Sequence, residues 1–184
     1  MMPAPGRHEP AKAGSLFSSC QKTLIRLDSV SKGVVILAIG VMTCLVIVQV
    51  FCRYALSYSI DWADEMSRLA FVWTIFLALP HGVRFGIHVG IDVVVNKFSA
   101  RLQDLMFRLS ALLGAVLMIV VFHFGLQVTQ DGWAELMPTI NVTSAVYYIA
   151  VLIAAGHSLL HLLLLAWGGA KTWASIDGQN EVSA

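Results

Sequence analysis

Residues Gly33 to Cys52 read GVVILAIGVMTCLVIVQVFC, a run with no ionisable side chain apart from the thiols of Cys44 and Cys52. A helix rises 1.5 Å per residue, so about 20 such residues cover the roughly 30 Å of hydrocarbon in a bilayer. This run decides the class of the chain, which is membrane-embedded. Outward from it, three further runs are long and apolar enough to qualify, at about 63–83, 106–127 and 142–167. Together they predict an all-α membrane protein with four transmembrane helices in one domain over 33–168. An arm at 1–32 precedes that domain and a tail at 169–184 follows it.

Composition agrees with this reading. Hydrophobic residues make up 58% of the 184 and charged residues 12%, whereas soluble domains carry about 25% charge. The formal net charge of +1 conceals an uneven distribution. Arg7, Lys12, Lys22, Arg26 and Lys32 precede the first run; Arg84, Lys97, Arg101 and Arg108 surround the second connection; Lys171 follows the last run. The third connection, with Asp131 and Glu135, has no Lys or Arg. Basic loops stay on the cytoplasmic side, so both termini are expected there. The first run lies too far from the start and is too long for a cleaved signal peptide, and is expected to be retained. Cys44 and Cys52 are about 12 Å apart along a helix, beyond disulfide reach. Three free thiols, with Cys20, and no metal site are expected.

Along the chain, 1–14 is rich in Pro, Gly and Ala and reads as a disordered start. From Ser15 the apolar set Leu16, Cys20, Leu24 and Leu27 alternates with Lys22, Arg26 and Lys32, which fits either an amphipathic helix on the membrane surface or a plain basic topogenic segment. Asp61, Asp64 and Glu65 favour a helix start near Asp61, where carboxylates meet exposed amides and the positive end of the dipole. Pro80 predicts a kink, and Ala78, Gly82, Gly86 and Gly90, each four apart, predict close helix contact. Between Asp92 and Arg108, apolar and charged residues interleave at helical spacing, predicting an in-plane helix ahead of the third span. The segment DGWAELMPTIN reads as an outward loop with Trp133 at the interface.

Carriers keep ionisable groups or broken helices near the bilayer centre. Here the central thirds of the spans hold Thr43, Thr74 and Gly114 but no charged residue. The charges lie at helix ends: Arg53 closes the first span, Asp64, Glu65 and Arg68 open the second with Trp62 beside them, and Arg84, His88 and Asp92 follow it. Glu65 and Arg68, or Asp64 and Arg68, share a helix face and predict an ion pair; interfacial anchoring by snorkelling side chains is the alternative. Arg84, His88 and Asp92, four apart, read as a cytoplasmic charge cluster or, less economically, as a proton-handling set. His81, His157 and His161 near the inner ends leave room for one haem, so a haem-binding membrane anchor of a redox complex is the alternative function. No phosphate loop, nucleophile triad or nucleic-acid patch is present. No catalytic, cofactor-binding or metal-ligating residue is assigned.

The run QVFCRYALSYSIDWADEMSRLAFVWTIFLAL followed by HGVRFGIHVGID resembles the small membrane subunit of tripartite ATP-independent periplasmic (TRAP) transporters, across the whole four-span region. The resemblance rests on Arg53 and Tyr54, on Trp62, Glu65 and Arg68, on Phe71 and Trp73, and on Arg84, His88 and Asp92. Pro80, His81 and Gly82 depart from the small apolar residues expected at that point. The resemblance implies a non-enzymatic scaffold in a bacterial inner membrane. It implies work alongside a large membrane subunit that carries solute and sodium, and a periplasmic solute-binding protein, for organic acid uptake. Beyond lipid and these two proteins no partner is implied. By the same resemblance Arg53, Glu65 and Arg68 belong to the outward packing or docking region, and Arg84, His88 and Asp92 to the cytoplasmic side. Trp62, Asp64, Gly82 and Gly86 are the remaining partner-interface or structural candidates.

Overall fold

A computed structural model describes residues 15–84 and 99–168. It contains four long helices, α1 (Ser15–Ala55), α2 (Asp61–Arg84), α3 (Ala100–Asp131) and α4 (Ala145–Gly168), and a 3-10 turn at Gly132–Ala134. Each of the four is long and apolar enough to cross a membrane. Gly86, His88, Gly90 and Asp92 lie outside the described residues. So do 1–14, 169–184 and the first part of the segment expected to be an in-plane helix.

The helices extend beyond the predicted runs at two places. The basic segment after Ser15 is neither a loop nor a separate surface helix: it continues unbroken into the first span, giving a helix of 41 residues, about 60 Å long. Ala100 to Arg108 likewise continues without interruption into α3. Pro80 sits inside α2, which remains helical to Arg84. Proline removes the backbone bond to the carbonyl four residues back, that of Phe76. One residue on, the carbonyl of Leu77 receives the hydroxyl of Ser31 at 3.1 Å, the kind of side-chain help that lets membrane helices tolerate proline.

The α1–α2 turn is made by Ser57, whose φ of 52° is left-handed, and is tied by the N–H of Tyr58 donating to the carbonyl of Cys52 at 3.1 Å. α2 begins at Asp61, with Asp61 and Asp64 in its first turn where the dipole is positive.

The helices pack in the order α1, α2, α4, α3, with α3 and α4 forming the most extensive contact. Small residues on one helix receive large ones from the other. A β-carbon on Gly114 would lie 3.2 Å from Leu162, one on Gly125 3.1 Å from Leu152, and one on Gly156 3.8 Å from Phe122. Ala111 and Ala115 of α3 and Ala150, Ala154 and Ala155 of α4 are also buried. Without a hydrophobic drive between helices in lipid, close backbone approach and dispersion hold such pairs. α4 is the most enclosed helix, with 50% of its most apolar stretch buried, whereas α1 has 6% buried and α3 11%. Broad apolar faces of α1 and α3 therefore point away from the bundle.

Candidate functional site

Two polar clamps occupy opposite ends of the bundle. At the end holding the α1–α2 turn, Glu65 of α2 is 92% buried by accessibility, with 8% exposed. Its two carboxylate oxygens accept the backbone N–H of Thr139 at 3.2 and 3.1 Å. Its main-chain carbonyl accepts the hydroxyl of Tyr147 at 3.4 Å. Two turns further along α2, the indole N–H of Trp73 donates to the carbonyl of Val146 at 3.1 Å. These contacts pin the α3–α4 connection onto α2.

The connection itself is ordered by a short ladder. Met137 N–H donates to Val142 O at 2.9 Å and Ser144 N–H to Glu135 O at 2.8 Å. The Thr143 hydroxyl lies 2.9 Å from the carbonyl of Gly132 and accepts the N–H of Ala145 at 3.2 Å, capping α4. Met137 is buried beneath the loop.

At the opposite end, Asp28 of α1 meets His157 and His161 of α4. Asp28 Oδ1 is 2.9 Å from the Nε2 of each histidine, and the two Nε2 atoms are 3.2 Å apart. All three side chains are buried. Four residues separate the histidines on α4, which puts both rings on the face turned to α1. His81 of α2 stands edge-on to His157, with ring centroids 6.4 Å apart. Nearby, Arg108 of α3 pairs with Asp104 at 2.9 Å and reaches the carbonyl of Ala166 at 3.5 Å. Hydroxyls deeper in the spans close on their own helices, Thr43 donating to Ile39 O and Thr74 to Ala70 O, as does Thr129 to Gly125 O near the end of α3.

The residues singled out in the sequence fall in different surroundings. Arg53, Trp62, Asp64 and Arg68 are exposed around the turn end, and of that group Glu65 alone is buried. Among the described residues no ion pair joins Arg68 to Glu65 or Asp64. Glu65 takes a backbone amide from a distant loop instead, because burial demands a fixed partner and the amide of Thr139 supplies one. Gly82 is half-buried near the end of α2 and Arg84 is its last residue. The haem alternative gains no support from the geometry. That alternative pairs His81 with His157 or His161, but His157 and His161 both turn Nε2 to Asp28, and the ring of His81 stands edge-on to that of His157 instead of opposing it.

Sequence reasoning missed Asp28, Ser31 and the tertiary roles of Trp73 and Tyr147. A signal for the first was present, since Asp28 is the sole acidic residue of α1 and His157 and His161 share a helix face. An isolated carboxylate among Arg26 and Lys32 reads as surface charge until α4 is placed beside it.

Comparison with known proteins bears on 42–172, which match the family described as "Tripartite ATP-independent periplasmic transporters, DctQ component". A "C4-dicarboxylate TRAP transporter small permease protein DctQ" of Vibrio cholerae is 33% identical over 78 residues, 42% of this chain and 34% of that one. A protein of the same description from Rhodobacter capsulatus is 27% identical over 113 residues, 60% of this chain and 50% of the other. A "Putative TRAP transporter small permease protein" of Haemophilus influenzae is 24% identical over 144 residues, 78% of this chain and 86% of that one. The matched segment thus spans about a third and a half of the first two relatives.

Proposed function

Because the chain belongs to the DctQ-component family of tripartite ATP-independent periplasmic transporters, and is by that membership a multi-pass inner-membrane transporter subunit, we propose that it serves as the non-catalytic scaffold and docking subunit of a secondary uptake system. In this reading a large membrane subunit moves the solute with sodium, and a periplasmic solute-binding protein delivers it. The cargo is an organic acid, a class to which the names of the Vibrio and Rhodobacter relatives point through C4-dicarboxylates. Both termini are cytoplasmic, following the basic residues, which puts the clamp around Glu65 on the periplasmic side and Asp28 on the cytoplasmic side.

One observation carries the scaffold reading. The mid-span hydroxyls of Thr43 and Thr74 are consumed by carbonyls of their own helices, and the buried charged contacts join helices at the two ends. A solute path needs the reverse, with polar groups free to replace water at mid-depth. The apolar outer faces of α1 and α3 suit packing against another membrane protein as well as lipid. Arg53, Trp62, Asp64 and Arg68, exposed around a loop held rigid by Glu65, form the docking rim. Arg84, Gly86, His88 and Asp92 form a contact region on the cytoplasmic side.

The test is reconstitution of the large subunit and the binding protein in vesicles with and without this chain, following labelled C4-dicarboxylate under an imposed sodium gradient. Accumulation that requires all three proteins is the expected result. Accumulation by this chain alone, or undiminished uptake without it, overturns the reading.

A further inference from the structure

The Asp28, His157 and His161 cluster carries more than a structural hydrogen bond. Its three polar atoms form a triangle with edges of 2.9, 2.9 and 3.2 Å, and the side chains are between 4% and 7% exposed. Protons fill such a triangle poorly. If both imidazoles donate Nε2–H to the carboxylate, two N–H groups crowd each other across 3.2 Å. If one imidazole donates to the other, an Nε2 lone pair faces the carboxylate oxygen at 2.9 Å. A cation satisfies all three edges at once, because each atom then directs a lone pair at a shared centre.

The distances suit a particular class of cation. Zinc binds imidazole nitrogen and carboxylate oxygen at about 2.0–2.2 Å in tetrahedral geometry, which sets ligand atoms roughly 3.3 Å apart. The triangle is within a few tenths of an ångström of that spacing, and an ion at zinc distance from all three atoms stands about 1 Å out of their plane. Two neutral imidazoles with one carboxylate is a donor set for zinc and its first-row neighbours, whereas calcium and magnesium call for oxygen ligands.

We propose that Asp28, His157 and His161 are a binding site for a divalent transition metal of the zinc type. The site staples α1 to α4, two helices that otherwise touch little, so metal binding stabilises the bundle where α1 crosses it. The sequence carries the expectation of no metal site, and this cluster of one residue on α1 with two on α4, 129 and 133 residues later, forms only when the helices pack.

The experiment titrates Co2+ into the purified full chain in detergent after chelator treatment, reading the visible bands of tetrahedral cobalt, then competes with Zn2+. One saturable equivalent is expected, with loss of the bands in His157→Gln and His161→Gln and affinity at least about 100-fold weaker, the upper end of what losing even an outer-shell partner costs. A variant with Cys20, Cys44 and Cys52 all changed to Ser must keep the bands, as must His123→Gln. Zn2+ should raise the melting temperature of the wild type and leave His161→Gln unmoved. Should the histidine variants not fold, X-ray absorption at the zinc edge of the loaded wild type decides: two imidazoles with oxygen and no sulfur is the expected shell. No saturable cobalt band, bands surviving in the His157→Gln, His161→Gln double variant, or sulfur in the shell overturns the proposal.

Discussion

Both carboxylate oxygens of Glu65 hold the single backbone N–H of Thr139, at 3.2 and 3.1 Å, across 74 residues of chain. The contact turns the α3–α4 connection from a free loop into a platform fixed on α2. Replacing Glu65 by Ala leaves that amide without its acceptor and is expected to cost about 1–3 kcal/mol. Glu65→Gln keeps one acceptor oxygen and should cost less. Thermal unfolding of the purified chain in detergent checks the order, and equal melting temperatures for both variants and the wild type would refute the clamp.

Ser57 at φ 52° pays the steric penalty of the left-handed region, about 1–2 kcal/mol for a residue with a β-carbon. Ser57→Gly is expected to stabilise the chain by several tenths of a kcal/mol up to about 1 kcal/mol, since glycine also gains freedom in the unfolded state. Ser57→Val should destabilise it. A melting temperature that falls on introducing glycine would show that the Ser57 side chain has a role its backbone does not reveal.

Two glycines should respond oppositely to alanine. At Gly132 a β-carbon would meet the ring of Tyr148 at 3.3 Å, with the backbone nitrogen of Ala145 in ordinary contact at 3.5 Å, so the Tyr148 ring must shift by a few tenths of an ångström. At Gly40 it would meet nothing within 4 Å, and helix propensity favours alanine by about 1 kcal/mol. Gly132→Ala is expected to lower stability and Gly40→Ala to raise that of the isolated chain. If the large subunit packs closely on α1 at Gly40, Gly40→Leu reduces its recovery on co-purification, which a pull-down reads directly.

Trp73→Phe retains most of the ring but deletes the donor to Val146 O. A loss of about 0.5–1.5 kcal/mol is expected, the usual net worth of one hydrogen bond. Ser31→Ala removes the hydroxyl that meets Leu77 O beside Pro80 and should cost a similar amount. Because these contacts lie in different parts of the bundle, the double variant should lose the sum of the two. A clearly smaller combined loss would indicate that α1 and α4 respond to each other through α2.

The sequence alone determined that four apolar helices are present and that their central stretches carry no charge, because transfer of side chains into hydrocarbon is a local property that each stretch carries independently. Gly33 to Cys52 is apolar whatever lies beside it. Glu65 and Trp73 were recognisable as residues of interest from their place in a motif, though not their partners. Which polar groups meet was decided by tertiary structure. Asp28 reads as one charge in a basic arm until the histidines of α4 stand 2.9 Å away, and Glu65 reads as the ion-pair mate of Arg68 until Thr139 arrives from a loop. In a low-dielectric bundle a buried polar atom must find a partner, and the order α1, α2, α4, α3 determines which partner is within reach.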